Sequence, residues 1–218
     1  MNKYLDLLFK AIGKVDADYF FTEDIYSHIQ YNERVFCYEL YHVLRLIDSN
    51  LLSNCKINGE ITKRFELIQP DTYGIKTDTN FEEEKKYKMT PDMVIHQSQG
   101  NTEGQYLILE VKNSKNRVTS IDWDLYKLLV YTEKLEFEIG VYLQVNGEMD
   151  KIIESIKGKI GIPKDKEELF KKITIIGVTL DSDNKTKIIK YCTLYDVIKK
   201  EKSKNGNLYR IYQNRDSM

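Results

Sequence analysis

The chain has few of the residues that punctuate or staple a fold. Among 218 residues there are three prolines, three cysteines, three histidines and one tryptophan. Cys37, Cys55 and Cys192 are odd in number, far apart and without C-x-x-C spacing. That argues against a disulfide framework and against a structural zinc site, and it suits a reducing, intracellular setting. His28, His42 and His96 build no H-E-x-x-H and no H-x-E…C-x-x-C pattern, which removes the zinc hydrolase and zinc deaminase classes. G-x-x-x-x-G-K-[ST] and G-x-S-x-G are also missing. No charge of one sign dominates: 33 Lys and Arg stand against 34 Asp and Glu, a net charge of −1. A polyanionic partner would therefore have to meet a local basic patch. No apolar run approaches the ~18–20 residues that span a bilayer. The start, MNKYLDLLFKAIGKVD, carries charges within its apolar pattern, unlike a signal peptide. The expectation is a cytoplasmic protein with no membrane partner.

What is present is a globular composition, 41% hydrophobic and 31% charged, in a length that suits one domain with a real core. Helical spacing is expected over 2–14, in a short helix capped at Thr22, and over 32–48 with Asn32 as N-cap. Residues 49–59 read as loop, 60–68 as the first strand, and 71–88 as a polar insertion. Later come a helix from Ser120 to about Lys134, a strand over 137–145, a helix over 148–160, strands over 172–180 and 187–191, and a short helix over 194–200. The stretch 199–210 is basic. This order predicts an α/β domain over 1–218, with helices in 1–30, a core over about 31–180 and a basic tail over about 199–218.

The centre of interest is TPDMVIHQSQGNTEGQYLILEVKN, residues 90–113. Two apolar runs flank a polar, Gly-bearing segment, the pattern of a β-hairpin. If the turn centres near Asn101, Asp92 faces Glu110, and such pairs carry side chains about 4.5–5.5 Å apart. Alternation places Lys112 on the face of Glu110, while Val111 shares the other face with Leu107 and Leu109, the face expected to be buried. Two carboxylates at that range repel unless a cation lies between them, and a divalent metal such as Mg²⁺ takes carboxylate oxygens while keeping several waters. His96, in register with Asp92, either lines the site or is structural.

Pro91-Asp92, seventeen intervening residues, then Glu110-Val111-Lys112 resembles the signature of the PD-(D/E)XK nuclease superfamily. That superfamily includes restriction-endonuclease-like enzymes, Holliday-junction resolvases and RecB-type nuclease domains. The resemblance implies a restriction-endonuclease-like mixed β-sheet flanked by helices. It implies Mg²⁺ or Mn²⁺ held by Asp92, Glu110 and the Val111 carbonyl, with Lys112 orienting or activating the attacking water. An early helix in many members carries a glutamate that reaches the metal, and Glu33 matches it. Glu39, the runner-up, lies about 240° further round the helix, so both cannot face one ion. In RecB-like members the helix after the E-x-K strand carries Q-x-x-x-Y; Lys127 and Tyr131 have that spacing, without the glutamine. Lys127, Tyr131, Lys115 and Arg117 are the candidate nucleic-acid contacts. The activity so implied is metal-dependent hydrolysis of phosphodiester bonds, with DNA the first candidate.

Plainer readings stand beside these. Glu33 is also an acid favoured by the helix macrodipole. Arg34, Tyr38, His42 and Arg45 face either a polyanion or solvent, and Lys127 and Tyr131 are also readable as an exposed lysine and a core-margin tyrosine. The alternatives to an enzyme are a non-catalytic nuclease-like binding module, or an accessory subunit of a larger DNA-processing complex. A homodimer or a protein partner is compatible with each.

Overall fold

In the computed structural model of the chain, the described residues are 1–47, 50–60, 63–64, 68–76, 88–97, 103–114, 121–184, 186–199 and 208–212. Helix α1 (Lys3–Lys14) starts at Asn2, whose side chain accepts from the amides of Tyr4 and Leu5 and so satisfies two orphan donors. Helix α2 (Glu33–Leu46) repeats the device with Asn32, the cap expected from the sequence. Between them the helix expected from Thr22 is replaced by a small antiparallel hairpin, β1 (Thr22–Glu23) and β2 (Ile29–Gln30). Asp24 explains the difference. Its Oδ1 accepts from the amides of Tyr26 at 2.8 Å and His28 at 2.9 Å, closing a turn rather than opening a helix. Ser27 completes that turn at φ 63°.

Among the described residues the main sheet has seven strands, in the order Arg210–Ile211, Lys187–Thr193, Ile173–Leu180, Ile139–Val145, Gln105–Asn113, Met93–His96 and Lys56–Gly59. Strand β3 (Lys56–Gly59) lies in the segment expected to be loop. Its four residues, KING, bury only Ile57, too little alternation to register as a strand. Of the strand expected over 60–68, Lys63–Arg64 (β4) pairs with Lys88–Met89 (β5) outside the main sheet, and residues 61, 62 and 65–67 lie outside the described residues. The expected insertion keeps a short 3-10 turn at Pro70–Tyr73; 77–87 lie outside the described residues.

The hairpin forms as predicted. Strand β6 (Met93–His96) pairs antiparallel with β7 (Gln105–Asn113), Met93 facing Leu109 and Ile95 facing Leu107. A bulge then shifts the register, so that His96 faces Gln105. From β7 the chain crosses through α3 (Ile121–Lys134) to parallel β8 (Ile139–Val145). It crosses again through α4 (Met149–Ile156) and α5 (Glu167–Lys171) to parallel β9 (Ile173–Leu180). Antiparallel β10 (Lys187–Thr193), α6 (Leu194–Lys199) and edge strand β11 (Arg210–Ile211) complete the sheet side.

Helices α1 and α2 pack on one face, over Leu107, Leu109, Val111 and their neighbours. Helices α3 to α6 pack on the other, over Ile108, Tyr142 and Ile175. Both crossovers thus fall on the same face, as two of one hand must when the strands advance in one direction. The sequence predicted one buried face for β7. Both are covered, because a strand inside a parallel crossover unit takes helices on each side. Among the described residues no helix is long and apolar enough to cross a membrane.

Candidate active site

Strand β7 runs on past the start of β6, and the site is built on that overhang. Beyond the last paired residues, Met93 and Leu109, the same register carried one step further sets Asp92, just before β6, against Glu110. Asp92 has left the ladder, and its carboxylate takes over the bonding: Oδ2 accepts from the Val111 amide at 2.6 Å. A strand residue directs its N–H and C=O toward the same edge, so the Val111 carbonyl faces that edge as well.

Glu110 and Lys112 point to the α3 face. The first turn of α3 brings Asp124 and, one helical turn on, Lys127. The result is a chain of alternating charge. Glu33 Oε2 lies 3.5 Å from Lys112 Nζ, which lies 3.5 Å from Asp124 Oδ2. Asp124 Oδ1 lies 3.0 Å from Lys127 Nζ, which lies 2.5 Å from Glu110 Oε2. Glu110 is 1% exposed and Asp124 2%. Glu110 Oε1 and Asp124 Oδ2 are buried and make no hydrogen bond among the described residues.

Burial sets the titration of the acids. It raises Glu110 well above the usual carboxylate range; Lys127 opposes the shift, and Asp92 and Asp124 add to it. Asp92 is also raised, by burial first, against the Val111 amide and the two lysines. Glu33 moves the same way for the same leading reason. The lysines answer in kind. Burial alone would lower Lys112, but Asp124, Glu33 and Asp92 outweigh it and hold the ammonium above its ordinary range. Lys127 is held up by Glu110 and Asp124 against its own burial.

The structure therefore brings four sequence candidates, Asp92, Glu110, Lys112 and Glu33, to one place. Lys127 and Tyr131 differ from expectation. Lys127 is 9% exposed and committed to two acids, and Tyr131 is fully buried, so neither offers a surface to nucleic acid. Burial, with the charges of Glu110 and Asp92, pushes the Tyr131 phenol upward. Lys115 and Arg117 lie outside the described residues. Glu39 turns to His42, 3.2 Å from its Nδ1, and takes no part. His96 is structural: its Nε2 lies 2.8 Å from Asn58 Oδ1 on β3.

Asp124 was missed by sequence reasoning: it was not among the candidate site residues. The available signal was spacing, since Asp124, Lys127 and Tyr131 follow i, i+3, i+7 along one helix face. Beside the cluster a cleft of about 480 Å³ opens between α2 and the β3–β6 edge, lined by Glu33, Arg34, Cys37, Tyr38 and Asp92 among others. Exposed Arg34 pairs there with Glu60 at 3.6 Å.

The donor set suits a hard divalent cation: carboxylate oxygens, one of them buried and unbonded, beside a backbone carbonyl at a strand edge. As the side chains stand, no three His, Cys, Asp or Glu among the described residues form a ready metal-holding group. The Lys127 ammonium sits against Glu110 instead.

No family model, curated protein or solved structure matches this chain. The functional reading therefore rests on the site and on the sequence motif that led to it.

Proposed function

We propose that the chain is a metal-dependent nuclease of the PD-(D/E)XK kind, hydrolysing phosphodiester bonds of nucleic acid, with DNA the first candidate. The finer fold assignment, restriction-endonuclease-like, is part of the same proposal. It is supported by an antiparallel hairpin leading through a helix into a parallel strand, with the acids at the hairpin's open end. One observation carries the reading. Asp92, bonded to the Val111 amide, and Glu110, with its unbonded oxygen, meet at the strand end that also presents Lys112.

A divalent ion bound to Asp92, Glu110 and the Val111 carbonyl would supply a Lewis acid and a water of lowered pKa. The chain's own residues do the rest. Asp92 is oriented by its amide bond, so its ligand geometry is set before any ion arrives. Asp124, Glu33 and Asp92 hold the Lys112 ammonium above its ordinary range, which suits it as an orienting donor for the attacking water and a counter-charge for the developing phosphorane rather than as a base. Glu33 holds the Lys112 ammonium from the α2 side.

The test is degradation of plasmid, single-stranded DNA and RNA with Mg²⁺, Mn²⁺ or EDTA, using wild type, Asp92→Ala and Lys112→Ala. Metal-dependent cleavage lost in both variants supports the proposal. A wild-type chain that neither cuts nor binds divalent metal overturns it. The seating of Lys127 on Glu110 favours a second reading, a nuclease-like module that binds without cutting. Retention of nucleic acid without cleavage at any metal concentration would select that alternative.

A further inference from the structure

Lys127 is the feature the proposed chemistry leaves unused. The residue is almost fully enclosed, and among the described residues its charge contacts are Glu110 Oε2 at 2.5 Å and Asp124 Oδ1 at 3.0 Å. Both acids are themselves at most 2% exposed, so neither can turn to water for a counter-charge. We infer that the Lys127 ammonium is a tethered second cation, and that the site accordingly takes one divalent ion, not two. This inference rests on the metal-dependent reading above.

Three observations support it. In two-metal sites the ions stand about 3.5–4 Å apart, and acids are needed to serve both. Glu110 is placed for such bridging, but one of its oxygens already serves Lys127 while the other has no hydrogen-bond partner among the described residues. Asp124, the nearest further acid to Glu110 on this face, has its other oxygen facing the Lys112 ammonium at ion-pair range, 3.5 Å, without a hydrogen bond among the described residues. Finally, Glu33, Asp92, Glu110 and Asp124 oppose two ammoniums, a formal excess of two negative charges that one divalent ion cancels. An ammonium brings charge but no coordination sites. Lys127 thus neutralises and orients Glu110 without carrying a water.

The experiment measures Mn²⁺ bound per chain by electron paramagnetic resonance and calorimetry on the full chain, for wild type, Lys127→Arg and Lys127→Gln. Wild type and Lys127→Arg are expected to bind one Mn²⁺ with no spin coupling between ions, and Lys127→Gln two. Two Mn²⁺ in wild type overturns the inference whether or not Lys127→Gln folds. One Mn²⁺ in wild type, with Lys127→Gln also binding one at unchanged affinity, overturns it as well while leaving the metal-dependent reading intact. No Mn²⁺ in any form overturns both.

Discussion

The Asp92 carboxylate accepts the Val111 amide at 2.6 Å, in the place where a further residue of β6 would have continued the ladder. A side chain thus finishes a backbone job, and Asp92 is both a structural acceptor and a candidate ligand. The two roles separate by substitution. Asp92→Asn keeps an oxygen for the amide and removes a charge that burial disfavours. It should leave metal-free stability equal or higher while abolishing Mn²⁺-dependent cleavage. Asp92→Ala also loses the acceptor, at a cost of about 1–3 kcal/mol for the stranded amide. Urea denaturation and a cleavage assay on both variants check this.

The pH dependence of metal-free stability follows from the acids. Glu110, Asp92 and Glu33 are raised in the folded state, by burial before any other cause. Between their ordinary and raised values the folded chain holds more protons than the unfolded one. Stability therefore falls as pH climbs from the usual carboxylate range, about 4, toward neutrality. Saturating Mg²⁺ should remove most of that slope, and Glu110→Gln should flatten it without metal. Thermal melts across pH measure it, and a metal-free stability that rises through the same window would contradict the assignment.

Three acids hold the Lys112 ammonium above its ordinary range, and in the proposed mechanism it serves by charge and reach rather than basicity. Lys112→Ala should lower kcat by about 10²–10³-fold, the usual effect of removing one donor to a developing negative charge. Lys112→Arg keeps the charge and should lie much closer to wild type. Equal loss in both, under single-turnover conditions, would speak for a deprotonated lysine.

Asn113, next in sequence to Lys112, clips the chain that leads into α2. Its amide donates to the carbonyls of Phe20 at 3.0 Å and Asn32 at 3.4 Å, and its Oδ1 accepts from Asn146 at 2.8 Å. The two carbonyls are the feet of the hairpin formed by β1 and β2. Asn113→Ala should destabilise the fold by about 1–3 kcal/mol through unpaired buried groups. It should also weaken Mn²⁺ binding less than Asp92→Asn does, since no proposed ligand is removed. Denaturant midpoints and calorimetry report the two effects separately.

The sequence made the hairpin legible because turn arithmetic and alternation are local rules. Met93 faces Leu109 as counted, and the later slip at His96 falls at the far end from the acids. Glu33 was singled out through the family resemblance, as the glutamate of an early helix, and the structure sets it 3.5 Å from the Lys112 ammonium. Asp124 and the true position of Lys127 were not legible. Whether a lysine is enclosed depends on acids arriving from another element, and Glu110 meets Lys127 only after α3 folds back across the sheet. Strand β3 was hidden for a different reason: its four residues pair because β6 offers an open edge, not because of their own pattern.

Asp124 is the middle link of five, with a lysine on either hand and a glutamate beyond each. Single replacements in such a row do not add, because each strands a charge on a neighbour contributed by a different helix or strand. The ion pairs that link Glu33 to Glu110 pass through Asp124, and Asp92 acts on both glutamates from outside the row. Engineering of this centre therefore proceeds by paired exchanges of opposite sign.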